Sequence, residues 1–311
     1  MSEALALGFS EEKRSDVGIA ATEAATNIFL HGRGGELLIC PSKAGEDVCL
    51  DLMALDSGPG ISDITRAMQD GFSTIGTAGQ GLGAIGRVAD DSSIFSAPDK
   101  GTVYWCRFLS SGSRERFRTG IINLAIKEET VSGDSYLIVR HEARTVFMVV
   151  DGLGHGAGAT EAAQEAVKTV ERYANRPSAE IIEHTHDELK KTRGAAMSLA
   201  IVDHNQKTLT YAGIGNVTGM IVAPGASKSL ITQNGTLGAA LPRSPQEFVQ
   251  AIAPSSTLIM FSDGLNSRVG LTAYPGLINR PAPLIAGVLY RDFSRRRDDA
   301  TILVAPLEGN A

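Results

Sequence analysis

Residues 149–156 read Val-Val-Asp-Gly-Leu-Gly-His-Gly, directly after the apolar run Thr145–Met148. A short apolar run that stops on an acid reads as a buried strand presenting Asp151 at its tip. The glycines that follow permit a tight turn into the next element. The same arrangement recurs along the chain. Asp263 closes the apolar stretch 256–263 in Phe-Ser-Asp-Gly-Leu, and Asp298 and Asp299 stand before the strand-like Ala300–Pro306 in Arg-Arg-Asp-Asp-Ala-Thr-Ile-Leu. Asp134 lies upstream in Ser-Gly-Asp-Ser-Tyr, residues 132–136. Acids at strand ends gather distant carboxylates at one place, where they repel one another unless a cation is present. Oxygen donors suit Mg2+ or Mn2+, and a pair of such ions suits phosphoryl hydrolysis. Any one Asp-Gly, taken alone, reads as a turn; the ordered set of four points to metal.

The first third of the chain carries different chemistry. Glu23 and Asn27 are four residues apart and share one helix face. Asp56-Ser-Gly58-Pro-Gly60 places an acid at a strand end, with glycines that let a flat base lie against backbone. Gly79-Gln-Gly81-Leu-Gly83 opens a helix whose N–H groups can cradle phosphate. Each cluster alone is weak: the pair is ordinarily a solvated face, and the glycine run lacks the preceding strand of a dinucleotide fingerprint. Their order makes them a set.

The 311 residues are 43% hydrophobic with a net charge of −6, enough for about two domains that each bury a core. The charge disfavours nucleic acid or an anionic membrane as partner. No apolar run approaches the length of a span, and the N-terminus lacks a signal-peptide layout. Cys40, Cys49 and Cys106 have no metal-ligand spacing and read as buried reduced thiols, which places the protein in the cytoplasm. Periodicity predicts a helix over 12–31, strands at 36–40 and 48–56, a short helix over 63–70 capped by Ser62, and strands up to Leu109. A polar stretch at 111–118 reads as a linker between domains 1–110 and 119–311. The second domain is predicted to run strands (119–127, 135–140, 144–150), helices (158–174, 178–192), strands (196–203, 208–214, 217–223), a helix near 282–293 and a last strand at 300–305. The fold class is α+β, with two sheets covered by helices in the second domain.

Three stretches, Thr22–Gly35, Leu55–Thr74 and Gly79–Arg87, resemble the boxes of the GHKL ATPase/kinase superfamily, in wording nearest the RsbT-type serine kinases. The resemblance covers about residues 8–109 and implies a Bergerat α/β sandwich. It also implies ATP with Mg2+ held by Asn27, Glu23 as base on the protein hydroxyl, and Asp56 on adenine. Gly58 and Gly60 would shape the adenine pocket, Gly79, Gly81 and Gly83 would cover the phosphates, and Thr102 would sit near adenine. That family carries a first strand and more of the leading helix before the Gly8-Phe9 step, so a shortened sheet edge is expected here.

The ordered acid motifs over about 120–306 resemble the PPM-type Ser/Thr phosphatases of the compact SpoIIE/RsbX-like branch, a β-sandwich flanked by helices. That resemblance implies two Mn2+ or Mg2+ ions sharing Asp151, with the Gly152 carbonyl, Asp134, Asp263 and Asp298 or its neighbour Asp299 completing the shells. Asp151, Asp263 and Asp298 would form the catalytic core. His155 reads equally as a proton donor or a structural hydrogen-bonder. The basic Ser294–Asp299 stretch reads as a phosphate contact or as charge balance, and no phosphate-binding arginine is identifiable from spacing. The implied partner is a phosphorylated STAS-domain protein of the anti-anti-sigma or stressosome type, with a homodimer left open. Two other readings stand beside this one: a non-catalytic docking module ahead of a phosphatase, and an inactive phosphatase fold serving as scaffold.

Overall fold

The computed structural model describes residues 2–44, 47–68, 81–110 and 117–307. The chain divides into two compact units, Met1–Gly120 with Asn279–Asp292, and Ile121–Ile278 with Phe293–Ala311. The sequence suggests domains 1–110 and 119–311 joined by a linker at 111–118, of which 111–116 lie outside the described residues.

The first unit opens with α1 (Ser2–Ala6), which the sequence pattern had not revealed, and α2 (Glu11–His31). Ser10 caps α2 by accepting from the Lys13 N–H at 3.2 Å, and Glu11 and Glu12 sit favourably in its first turn. Val17, Ala20 and Ala24 form its buried stripe. The helix ends at Gly32, whose N–H reaches the Ile28 carbonyl at 2.8 Å, and the chain turns at Arg33 and Gly34, both with positive φ. β1 (Gly35–Ala44), β2 (Asp47–Asp56), β3 (Asp91–Ser96) and β4 (Thr102–Leu109) build an antiparallel sheet in the order β1-β2-β4-β3. Between them lie α3 (Ile64–Ala67) and α4 (Gly81–Val88). Asp63, rather than Ser62, caps α3, its carboxylate accepting from the Arg66 N–H at 2.9 Å.

β4 is buried along its whole length, so both faces of the sheet are covered. Tyr104, Cys106 and Phe108 point into the core beneath α2 and α4. The alternate residues face α7 (Ala282–Phe293), which is buried on every side from Ala282 to Tyr290. Gly287 lets the helix close on the sheet: a β-carbon there would stand 3.0 Å from Val103 and 3.4 Å from the Met53 sulfur. Farther along the same face Arg107 and Asp51 form a buried ion pair, with the guanidinium nitrogens at 2.6 and 2.7 Å from the carboxylate. The carbonyls of Phe117 and Thr119 accept its remaining N–H groups. The three cysteines are free and buried, and burial pushes the Cys49 and Cys106 thiols up to about 12.

The second unit is a sandwich of two sheets. One runs β12-β9-β8-β7-β6 and the other β11-β10-β13-β14-β5. The first is built from β6 (Asp134–His141), β7 (Arg144–Gly152), β8 (Ala195–Asp203), β9 (Thr208–Ile214) and β12 (Phe248–Ala251). The second is built from β5 (Gly120–Leu124), β10 (Thr218–Ala223), β11 (Ala226–Leu230), β13 (Thr257–Phe261) and β14 (Ala300–Pro306). The two-residue period of β7 explains the layering. Val146, Met148 and Val150 pack under α5 (Ala157–Arg172) and α6 (Ser178–Leu189), while Phe147 and Val149 face Leu258, Met260 and Leu303 of the opposite sheet. β11 and β12 were not foreseen, because Ala-Ser-Lys-Ser-Leu and Phe-Val-Gln-Ala are short and mostly exposed. Among the described residues no helix is long and apolar enough to cross a membrane.

Candidate functional site

Strand register brings the first two acids together. Asp134 begins β6 and is the direct cross-strand partner of Asp151 near the end of β7. Residues opposite each other in an antiparallel pair project on the same face. Asp134 is only 5% exposed, and its Oδ2 accepts the Ser262 hydroxyl proton at 2.5 Å. Ser262 in turn accepts from the Thr301 N–H at 3.0 Å, and Asn123 donates to both the Asp134 carbonyl and the Thr301 hydroxyl. These bonds tie β5, β6, β14 and the end of β13 together beneath the acids. Asp263, just past β13, is held by Asn216, whose Nδ2 donates to Oδ2 at 2.8 Å.

The pair before β14 divides its duties. Asp299 is buried, and its two oxygens accept the Ile126 and Gly133 N–H groups at 2.7 Å each. Asp298 is exposed and accepts the Asp299 N–H at 3.0 Å. Of the two, Asp298 is the one left exposed.

Electrostatics record the crowding. Burial, then the charges of Asp134, Asp263 and Asp298, push Asp151 up to about 8. Burial raises Asp134 to about 7, with Asp299 and Asp263 adding to the effect against the Ser262 hydrogen bond. Asp298 is also raised, by burial first and then by Asp263. The acids thus lie within electrostatic reach of one another. Among the described residues, however, no three metal-binding side chains close into a cage around one point as they stand. The donor set consists of hard oxygens and fits a divalent cation, whose charge would relieve each of these shifts.

The loop after Asp151 is equally specific. Gly152 runs so close to α5 that a β-carbon would come within 2.2 Å of the Ala159 carbonyl. Exposed His155 meets Glu129 through Nδ1 at 2.7 Å, and that hydrogen bond raises its pKa. Its Nδ1 is therefore engaged with Glu129.

In the first unit, Asp56 ends β2, and its Oδ1 accepts the N–H groups of Gly58 (2.8 Å) and Thr102 (3.1 Å). The Thr102 hydroxyl meets Ser96 at 2.9 Å, and Ser96 accepts the Ile61 N–H at 2.8 Å. The turn from Asp56 to Gly60 is thereby fixed by neutral donors. A side chain at Gly58 would strike the His31 carbonyl at 2.5 Å, so the end of α2 lies against this turn. Glu23 and Asn27 are half-buried on α2, and among the described residues the Asn27 Nδ2 is buried without a partner. An unsatisfied buried amide fits a polar ligand. Gly81 and Gly83 lie in the first turn of α4, whereas Gly79 falls outside the described residues.

Sequence reasoning missed Asn216, Ser262 and Asn123, which orient the acids. Asn and Ser are ubiquitous, and only register places them here; the strand-end Gly215-Asn216 step was the single local hint.

Comparison with known proteins agrees with both halves. Residues 141–307 match the family described as stage II sporulation protein E, and residues 1–107 match the histidine kinase-like ATPase domain. The phosphoserine phosphatase RsbX of Bacillus subtilis (strain 168) is 29% identical over 153 residues, covering 49% of this chain and 76% of RsbX. The serine/threonine-protein kinase RsbT of the same organism is 36% identical over 105 residues, covering 32% of this chain and 79% of RsbT. A solved structure described under the bacterial stressosome superposes with a TM-score of 0.56 at 28% identity, over 60% of this chain and 97% of that one.

Proposed function

The chain belongs to the SpoIIE family of PPM-type Ser/Thr phosphatases, with an RsbT-like kinase domain ahead of it, and from that premise we propose that it removes phosphate from serine or threonine of a STAS-domain switch protein. The observation that carries the reading is the rung pairing Asp134 with Asp151, flanked by Asp263 and Asp298. Asp151 is the shared ligand in this proposal, with Asp134, Asp263, Asp298 and the Gly152 carbonyl around it. Two Mg2+ or Mn2+ ions would supply positive charge for the phosphate oxygens and acidify a water. The protein's own contribution is placement. Ser262 and the Asn123 network hold Asp134, Asn216 aims Asp263, and Asp299 pins the loop that presents Asp298. Water forms the new bond to phosphorus as the bond to the serine or threonine oxygen breaks, and its proton goes to that departing oxygen.

In the first unit the proposal assigns ATP with Mg2+. Asp56 Oδ1 is committed to backbone, so the adenine amino group would take Oδ2. Asn27 would turn its amide oxygen to the Mg2+, with Glu23 one helical turn earlier as base on the acceptor hydroxyl. The same STAS protein would receive phosphate from this half and lose it to the other. The unpaired buried thiols suit a reducing compartment, so a cytoplasmic site of action forms part of the proposal.

The test uses the full chain with a purified STAS-domain protein of the same partner-switching type. Label from γ-32P-ATP should enter that protein, and Mn2+ or Mg2+ should speed its release as inorganic phosphate. Absence of metal-stimulated release from a phosphorylated STAS protein rejects the phosphatase assignment. Absence of both labelling and ATP binding rejects the kinase half alone.

A further inference from the structure

We propose that Val131 and Leu153 form an apolar lip beside the acid site that grips the substrate polypeptide next to its phosphorylated residue, so that the site selects phosphoserine or phosphothreonine flanked by apolar side chains. The inference rests on the phosphatase reading above. Among the described residues of the second unit, four large apolar side chains are exposed: Val131, Leu153, Ile231 and Val249. Scattered singly, such residues need no explanation. Two of these four, however, stand on the loops that carry the paired acids. Leu153 is two residues past Asp151, and Val131 is three residues before Asp134. The cross-strand pairing of Asp134 with Asp151 puts both loops at the same end of the sheet.

The two loops are stitched together on either side of these residues. The Gly152 N–H donates to the Gly133 carbonyl at 3.1 Å, and farther out Glu129 meets the His155 Nδ1 at 2.7 Å. Val131 and Leu153 lie between these cross-links. Their backbones are fixed as well: the Thr160 hydroxyl donates to the Ser132 carbonyl at 2.9 Å, and the Leu153 N–H donates to the Gly194 carbonyl at 3.0 Å. The side chains are nevertheless 44% and 43% exposed. Apolar groups held this way gain from being covered and lose little freedom when a partner arrives. The occupant follows from the neighbouring chemistry. A phosphorylated side chain delivered to the acids brings its own backbone across this rim. An extended chain advances about 3.3–3.6 Å per residue, so residues one to three places from the phosphorylated one match the spacing of Leu153 and Val131 from the acids. A small phosphate ester is too short to reach both. The nearest charged side chains along the same loops, the acids of the site aside, are Glu129 and His155, and these engage each other.

The test uses the full chain in Mn2+ with a peptide carrying leucines on both sides of phosphoserine, the same peptide with glutamines there, and free phosphoserine. Turnover gives kcat/KM, and anisotropy of labelled peptides, read before appreciable turnover, gives affinity. The leucine peptide should exceed the glutamine peptide by about 10-fold in both. V131S/L153S should bring that ratio to within twofold and leave kcat/KM on free phosphoserine unchanged. V249S is the control and should keep the ratio. Val249 pairs with Thr210, Thr210 with Ile201 and Ile201 with Val146, toward the opposite end of β7 from Asp151. Absence of the preference in the unsubstituted chain, or its survival in V131S/L153S, overturns the proposal. If that variant instead turns a dimer into a monomer in light scattering, the lip is a contact between copies of the chain. Equal losses on all three substrates with a lower Tm would mark a structural role and overturn it too. An affinity preference that depends on Val131 and Leu153 in a chain without turnover supports the lip and rejects the hydrolase reading, so the two fail separately.

Discussion

The acid site and the Asp56 turn each place an aspartate at the end of a strand, yet they solve opposite problems. At Asp56 one oxygen accepts two backbone N–H groups, so the carboxylate is held by neutral donors before any ligand arrives. At Asp151 the neighbours are Asp134, Asp263 and Asp298, and each raises its pKa. The first site is organised by the fold. The second crowds like charges together, and a bound cation would relieve them. Preorganisation and stored repulsion are thus both encoded by the same local motif, an acid followed by glycine-rich turns; the surrounding strand register decides which results.

The contrast breaks most readily at Asp151. D151N should lower metal-stimulated phosphate release by more than about 100-fold, beyond the loss typical for a residue that merely supports a metal ligand, while ATP affinity measured by calorimetry stays constant. A parallel loss of ATP binding would show the two sites to be one system. D56N is the converse: removing a charge-assisted contact should weaken ATP binding by about 10- to 100-fold and leave phosphatase turnover unchanged. N216A withdraws the group that aims Asp263. Metal affinity should fall about 10-fold, at the low end for an outer-shell partner, with no change in Tm of the metal-free chain beyond about 1 °C per few tenths of a kcal/mol.

The smallest effect is a slope. Folding holds protons on Asp134 to about pH 7 and on Asp151 to about pH 8, whereas an unfolded aspartate releases its proton near pH 4. A raised carboxylate pKa contributes stability that is complete below about pH 4 and lost as pH climbs through 7 and 8. The Tm of the metal-free protein should therefore fall between pH 5 and pH 8. Saturating Mg2+ should flatten the decline, and D151N should shrink it in the absence of metal. A metal-free Tm that rises over this range would contradict the frustration at the acid site.

Much of this was legible in the sequence because strand-tip acids and their glycines are contiguous. The motifs around 134, 151, 263 and 298 carry their own local signature, and the apolar pattern predicts helices over about 12–31, 158–174 and 282–293, close to the observed Glu11–His31, Ala157–Arg172 and Ala282–Phe293. What stayed hidden depends on long-range register. Nothing in Ser262 marks it as a partner of Asp134, 128 residues away. The strands at 226–230 and 248–251 escaped because edge strands exposed to water need no apolar alternation. The cap of the short helix at 64 fell to Asp63 rather than its neighbour because the two residues are chemically equivalent as caps, and backbone direction alone chooses between them.

The placement of α7 has a bearing on inheritance. Its residues are written late in the gene, between segments that build the phosphatase sandwich, yet they cluster with the kinase-like sheet and close on Met53 and Val103. A cut after residue 118 would separate α7 from the sheet it packs on in the first unit and leave it with the segment 141–307 that matches the phosphatase family. Every molecule made therefore carries the two units in a ratio of one to one.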